Sequence, residues 1–194
     1  MVTNHWKQYE VAGNILIAKK HLAYAEFIAE YPESVGKRDF DLITPVDRFY
    51  RNLCSLAYSD AILLISSLVK MGDSRVMSFW NWPEFVAARG KELQCLTNEF
   101  ERSGQKTVRD QMIAHQDSSN RNNNVPSARR LGIRTEVIKQ AQSFLQKLID
   151  EFFVFTNESS PVYSPDYFNA DDAYEEIEKM FSLAPPTLTD NVII

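Results

Sequence analysis

An all-α protein is predicted, a four-helix up-and-down bundle with additional short helices, and three observations predict it. Apolar residues recur at spacings of three and four over long stretches, the period of one helical face. Glycine is scarce, six in 194 residues, where a many-turned β-sandwich would need frequent turn residues. Hydrophobic residues make up 44% and charged residues 24%, the balance of a chain that folds around a core rather than staying disordered. The length suits one domain, expected over residues 1–182 with the bundle core at about 45–155 and a flexible C-terminal tail at 183–194.

The first helix is expected from about Tyr9 to Tyr31, with Val11, Ile15, Ala18, Leu22, Ala25 and Ile28 on one stripe and Pro32 as its end. After a connection holding Gly36, Thr44-Pro45-Val46-Asp47 has the form of a helix start: an N-cap hydroxyl, proline at the first helical position and an acid at the third. The helix that follows carries Phe49, Leu53, Leu56, Tyr58, Leu64, Ile65, Leu68 and Met71, and is expected to be the best-buried element, with Gly72 at its C-terminal cap. Phe79-Trp80-Asn81-Trp82-Pro83 leads into a third helix, its tryptophans read as a plug at the bundle end. That helix is expected over about Glu84–Arg102, with Phe85, Ala88, Leu93, Leu96 and Phe100 inward and Ser103-Gly104 as its break. A short helix over Thr107–His115 precedes a polar loop, and a fourth long helix from Arg134 to about Phe155 turns Val137, Ile138, Ala141, Leu145, Leu148, Ile149 and Phe152 inward. Asn169 is placed to cap a last short helix.

Several function classes fall away. No apolar stretch approaches the ~20 residues of a membrane span, and the N-terminus lacks the basic start and apolar run of a secretion signal, so a cytoplasmic protein is expected. Cys54 and Cys95 stand without neighbours at metal-ligand spacing and are both expected to be buried as small apolar residues; the sequence leaves a disulfide between them open. The net charge of −5 opposes non-specific nucleic-acid binding. Most of that charge lies beyond Glu151, however, and between Arg109 and Arg134 five arginines outnumber Asp110 and Asp117. A local anion site is compatible with that distribution.

Gly-rich phosphate loops, nucleophile elbows, His-Glu-x-x-His and paired Cys-x-x-Cys motifs do not occur. What remains is Val108-Arg109-Asp110-Gln111-Met112-Ile113-Ala114-His115: an arginine and a histidine five residues apart, with an acid directly after the arginine. This segment resembles the Arg-polar-x(3–5)-His motif of the HEPN superfamily, and its wording is most similar to the abortive-infection, AbiU-like branch. The resemblance extends in arrangement from Pro45 to Phe155 and is carried by Arg109, Asp110, Ala114 and His115.

The resemblance implies metal-independent RNA cleavage in phage defence or as a toxin, with no cofactor, in which a ribose 2′-hydroxyl attacks the adjacent phosphate. The residue types suit that chemistry. An imidazole titrates near ~6.5 when unperturbed, so His115 suits proton transfer at neutral pH; Arg109 offers a permanently charged fork to phosphate oxygens; Asp110 is placed to orient either one. Six positions on a regular helix span about 240° and roughly 9 Å of rise, so one helix does not aim both side chains at one point. The resemblance implies a homodimer whose motifs face each other across a cleft. Arg121, Arg129 and Arg130 are candidates for holding RNA phosphates. Asp117 stands where members paired with a nucleotidyltransferase antitoxin carry a modifiable tyrosine, so the resemblance does not extend to that form of regulation.

Two other readings stand beside this one. A non-catalytic HEPN-like bundle would bind a nucleotide, antitoxin or other partner protein. An unrelated helical scaffold would use His115 as a bundle-edge residue and pair Arg109 with Asp110 or another surface acid.

Overall fold

The computed structural model describes residues 5–34, 45–107, 109–110 and 135–159, together with 172, 175 and 179. Among them the regular structure is all helix, with no strand. In chain order the elements are α1 (His5–Ser34), α2 (Pro45–Leu68), a 3₁₀ turn η1 (Phe79–Asn81), α3 (Pro83–Arg102) and α4 (Thr135–Ser159). Residues 104–107 and 109–110 are also helical. No helix among the described residues is long and apolar enough to cross a membrane. Thr44, the loop after His115, the Asn169 cap and the tail at 183–194 lie outside the described residues; of the expected last helix, residues 172, 175 and 179 are described, and they are helical and exposed.

Each stripe of α1 expected to face inward does so: Val11, Ile15, Ala18, Leu22, Ala25 and Ile28 are all buried. Ala12 and Ala23 join them, and these small side chains let α1 lie close against α2, where the Cys54 thiol donates to the Ala25 carbonyl at 3.3 Å. Because α1 also packs on α4, two of its sides are covered. α2, expected to be the best-buried element, still has the larger buried share: eight of its 16 residues with described side chains (53–68), against nine of 24 (7–30) in α1. α1 continues two residues past Pro32, which was expected to end it.

On α2 the inward residues are Cys54, Tyr58, Ala61, Ile62, Ile65 and Leu68. Leu56, expected inward, is 66% exposed, and Leu63 is exposed too. At 100° per residue they lie roughly 200° and 180° around the helix from Cys54, on the side turned to solvent. Met71 is exposed as well, because α2 ends at Leu68 before reaching it. Gly72 has the left-handed φ of +81° that suits glycine, but α2 ends four residues earlier, at Leu68, so Gly72 does not cap it as expected. The chain then turns at Asp73, whose carboxylate accepts from Arg75 side chain and backbone and from Lys70 Nζ, each at 3.1 Å. These bonds, Arg75's foremost, hold the Asp73 carboxyl well below the usual carboxylate range.

Ser78 caps η1: its Oγ accepts from Trp80 N and donates to the Lys70 carbonyl at 2.7 Å. Pro83 starts α3 at a position where its missing N–H is no loss. The tryptophans do close one end of the core. Trp82 is buried, 4.9 Å edge-on from Phe155 and 5.7 Å from Phe85, while Trp80 Nε1 donates to Thr97 Oγ1 at 3.0 Å.

Inside α3, Arg89 departs from helical geometry (φ −127°, ψ 19°). The expected stripe ran through Ala88 as if the helix were regular. Instead Ala88 is exposed, and Leu93, Leu96 and Phe100 resume the inward face beyond the kink. The kink is tied to α4 by Arg89, whose Nε and Nη2 donate to Glu151 Oε2 at 2.7 and 2.6 Å. Both side chains are about three-quarters buried, so water screens the pair less than a surface one. A double-mutant cycle of Arg89→Ala and Glu151→Ala is expected to give a coupling energy of about 1–2 kcal/mol in urea unfolding. Additivity within about 0.3 kcal/mol would show that the kink stands without the pair.

The cysteines divide. Cys54 is buried and Cys95 exposed, and both are free thiols, which corrects the expectation that both would be buried. Position 95 lies about 200° from Leu93 around α3. Burial pushes the Cys54 thiol up to about 11 and raises the neighbouring Tyr58 phenol as well. One thiol equivalent, Cys95, is therefore expected to react with a thiol reagent in the native protein, and Cys54 only after unfolding. The folded state holds the Cys54 proton more tightly than the unfolded one. Its stabilising contribution is thus complete below about pH 9 and is lost as pH rises to about 11, at up to about 1.4 kcal/mol per pH unit. Urea midpoints across that window should fall less steeply in Cys54→Ala than in the native chain; equal slopes would contradict this assignment.

Candidate functional site

Of the motif residues, Arg109 and Asp110 are described and His115 is not; Arg121, Arg129 and Arg130 also lie outside the described residues. Ser103 ends α3, its backbone N–H returning to the Phe100 carbonyl at 3.0 Å and its hydroxyl to the same oxygen at 2.6 Å. The chain re-enters helical geometry at residue 104, which carries Arg109 back toward α2.

There the guanidinium is held at two places. Arg109 Nη1 donates to Ser66 Oγ on α2 at 2.9 Å, while Nε and Nη2 donate to the same Asp110 oxygen, Oδ1, at 2.8 and 2.6 Å. The arginine side chain is 19% exposed and the Asp110 side chain 52%. Ser66 is buried. A planar fork with one corner on a buried hydroxyl and one edge on a carboxylate has a fixed orientation, which a freely solvated arginine lacks. One turn earlier, Gln105 is buried, and among the described residues its Oε1 has no hydrogen-bond partner.

The predicted Arg109–Asp110 proximity is thus present, and Asp110 contacts the arginine. This is also the pairing expected if Arg109 had no catalytic role. Ser66 was not singled out from sequence, although a signal existed. It interrupts the apolar run Ala61–Val69 at the position one turn after Ile62, on a face that is otherwise buried. A polar residue in that setting needs a partner. Its neighbour Ser67 donates instead to the Leu64 carbonyl of its own helix, at 2.7 Å.

Elsewhere, Asp60 Oδ2 on α2 lies 2.7 Å from His21 Nδ1 on α1, without the alignment of a hydrogen bond. Among the described residues, no three of His, Cys, Asp and Glu are grouped so as to hold a metal ion.

No family model matches the chain, and no curated protein or solved structure matches it. The class that the described residues define is an all-helical protein with an arginine anchored between two helical segments.

Proposed function

We propose that this chain is a HEPN-like, metal-independent endoribonuclease of the abortive-infection, AbiU-like kind, acting in the cytoplasm in phage defence or as a toxin. The observation that carries the reading is the double anchoring of Arg109. The acid that follows the arginine in the motif orients its fork, and the fork is fixed against α2 rather than loose on the surface. In this reading the four long helices form an up-and-down bundle, and two copies pair so that both motifs flank one phosphodiester. The ribose 2′-oxygen attacks the adjacent phosphorus and the bond to the 5′-oxygen breaks, leaving a 2′,3′-cyclic phosphate and a 5′-hydroxyl. His115 takes the 2′-hydroxyl proton or delivers one to the departing 5′-oxygen, and Arg109 neutralises the charge that builds on the phosphoryl oxygens. Arg121, Arg129 and Arg130 hold flanking phosphates.

A specific observation favours a second reading. Three of the five guanidinium N–H groups of Arg109 are already engaged within the chain, as expected of a non-catalytic bundle that binds a nucleotide or partner protein through another surface. Cleavage of a mixed RNA pool in EDTA separates the two. The native chain is expected to leave cyclic-phosphate ends, and Arg109→Ala and His115→Ala to leave none. Native protein that cuts no more than its variants would remove the ribonuclease reading and put the binding module in its place.

A further inference from the structure

We propose that Ser66 is a positioning residue for Arg109, fixing the guanidinium so that its Nε/Nη2 edge is the one presented to an RNA phosphodiester. This inference rests on the ribonuclease reading above.

The two anchors of Arg109 differ in kind. Ser66 belongs to α2, 43 positions earlier in the chain, and is 5% exposed. Its hydroxyl is therefore carried by a packed helix whose neighbouring residues, Ile65 and Ile62, are core. Asp110 is the adjacent residue and is more than half exposed. The edge made by Nε and Nη2 is the one with which arginine grips an oxyanion through two near-parallel N–H groups. Here that edge carries a carboxylate oxygen on the solvent side. A phosphate arriving from solvent meets an edge already oriented for an oxyanion, and the exposed carboxylate is the group that yields to it. The Nη1 corner, on the buried hydroxyl, stays in place during that exchange.

The energetic consequence concerns order rather than charge. Arginine has a large rotamer entropy to lose on being fixed. Ser66 removes part of that freedom before substrate arrives, which is preorganisation. Ser67 donates its hydroxyl to its own helix backbone, while the Ser66 oxygen accepts from Arg109 across the gap between α2 and the segment after α3.

The test is single-site kinetics on RNA in EDTA with the full chain, comparing native, Ser66→Ala and Ser66→Thr, with the Nε–H NMR signal of Arg109 and the melting temperature recorded for each. Ser66→Ala is expected to lower kcat roughly tenfold with little change in KM, to broaden the Arg109 Nε–H signal, and to melt with the native chain. Ser66→Thr, which keeps the hydroxyl, is expected to restore both rate and signal. Should Ser66→Ala cut as fast as the native chain, the positioning role is overturned while the ribonuclease reading stands. A loss of rate that tracks a loss of melting temperature in both variants, with the Nε–H signal unchanged, would make Ser66 a packing residue and also overturn it. A native chain that does not cut RNA removes the ribonuclease reading, and the role of Ser66 in it falls too.

Discussion

Arg109→Ala is expected to lower the rate of metal-independent RNA cleavage by 10²–10³-fold or so, the usual loss when a preorganised donor to a developing oxyanion is removed. His115→Ala should lose on the order of 10²–10⁴-fold, as for a general acid or base. The informative comparison is Arg109→Lys. Lysine keeps the charge but has no planar fork, so it does not bridge Ser66 Oγ at one corner while offering two parallel donors at the other edge. If the anchored fork is what matters, Arg109→Lys should resemble Arg109→Ala in kcat. If charge alone suffices, lysine should recover most of the rate, and the double anchor would have no part in the chemistry. Arg109→Ala also leaves Ser66 buried without its partner, a loss of roughly 1–2 kcal/mol in stability. Rates are therefore to be compared well below the melting temperature of the variant.

The largest stability effect is expected at the aromatic end of the core. Phe152 is fully buried on α4, 6.4 Å from Trp82 in ring-centroid distance. Phe152→Ala removes a large side chain from a place where Trp82, Phe85 and Phe155 already contact one another, with Phe85 and Phe155 5.1 Å apart. Those rings brace each other and have little room to collapse into the space. A loss of about 3–5 kcal/mol follows, which for a chain of this length lowers the melting temperature by on the order of 10 °C. Val154, two residues on and 40% exposed, is the control: Val154→Ala should stay within about 0.5 kcal/mol. Equal losses at the two positions, measured by urea unfolding, would mean that the aromatic cluster does not brace this end of the protein.

The helices were legible because their periodicity depends only on local spacing. The α1 stripe from Val11 to Ile28 and the α4 stripe from Ile138 to Phe152 both face the core as their three-and-four spacing requires. Pro45 and Pro83 mark helix starts through a constraint that is local to the chain. Reading failed where a side chain's fate depends on what stands opposite it. Leu56, expected inward, is as apolar as Ile65, yet it falls on the side of α2 that no described element covers. Ala88 precedes a kink at Arg89 that is tied to Glu151, 62 residues away, a distance no window of local sequence spans. Cys95 differs from Cys54 only in the side of its helix that meets the core.

The candidate site divides along the same line. Arg109 and Asp110 are neighbours in the chain, so their pairing was available from sequence as a consequence of chemistry and spacing. The sequence by itself thus determined an all-helical chain, the core stripes of α1 and α4, and an arginine with an acid beside it. The tertiary structure alone decided that Ser66 meets that arginine, which faces of α2 and α3 are covered, and which thiol is free to react. Those outcomes rest on contacts between residues far apart in the chain, which helical period and local chemistry do not encode.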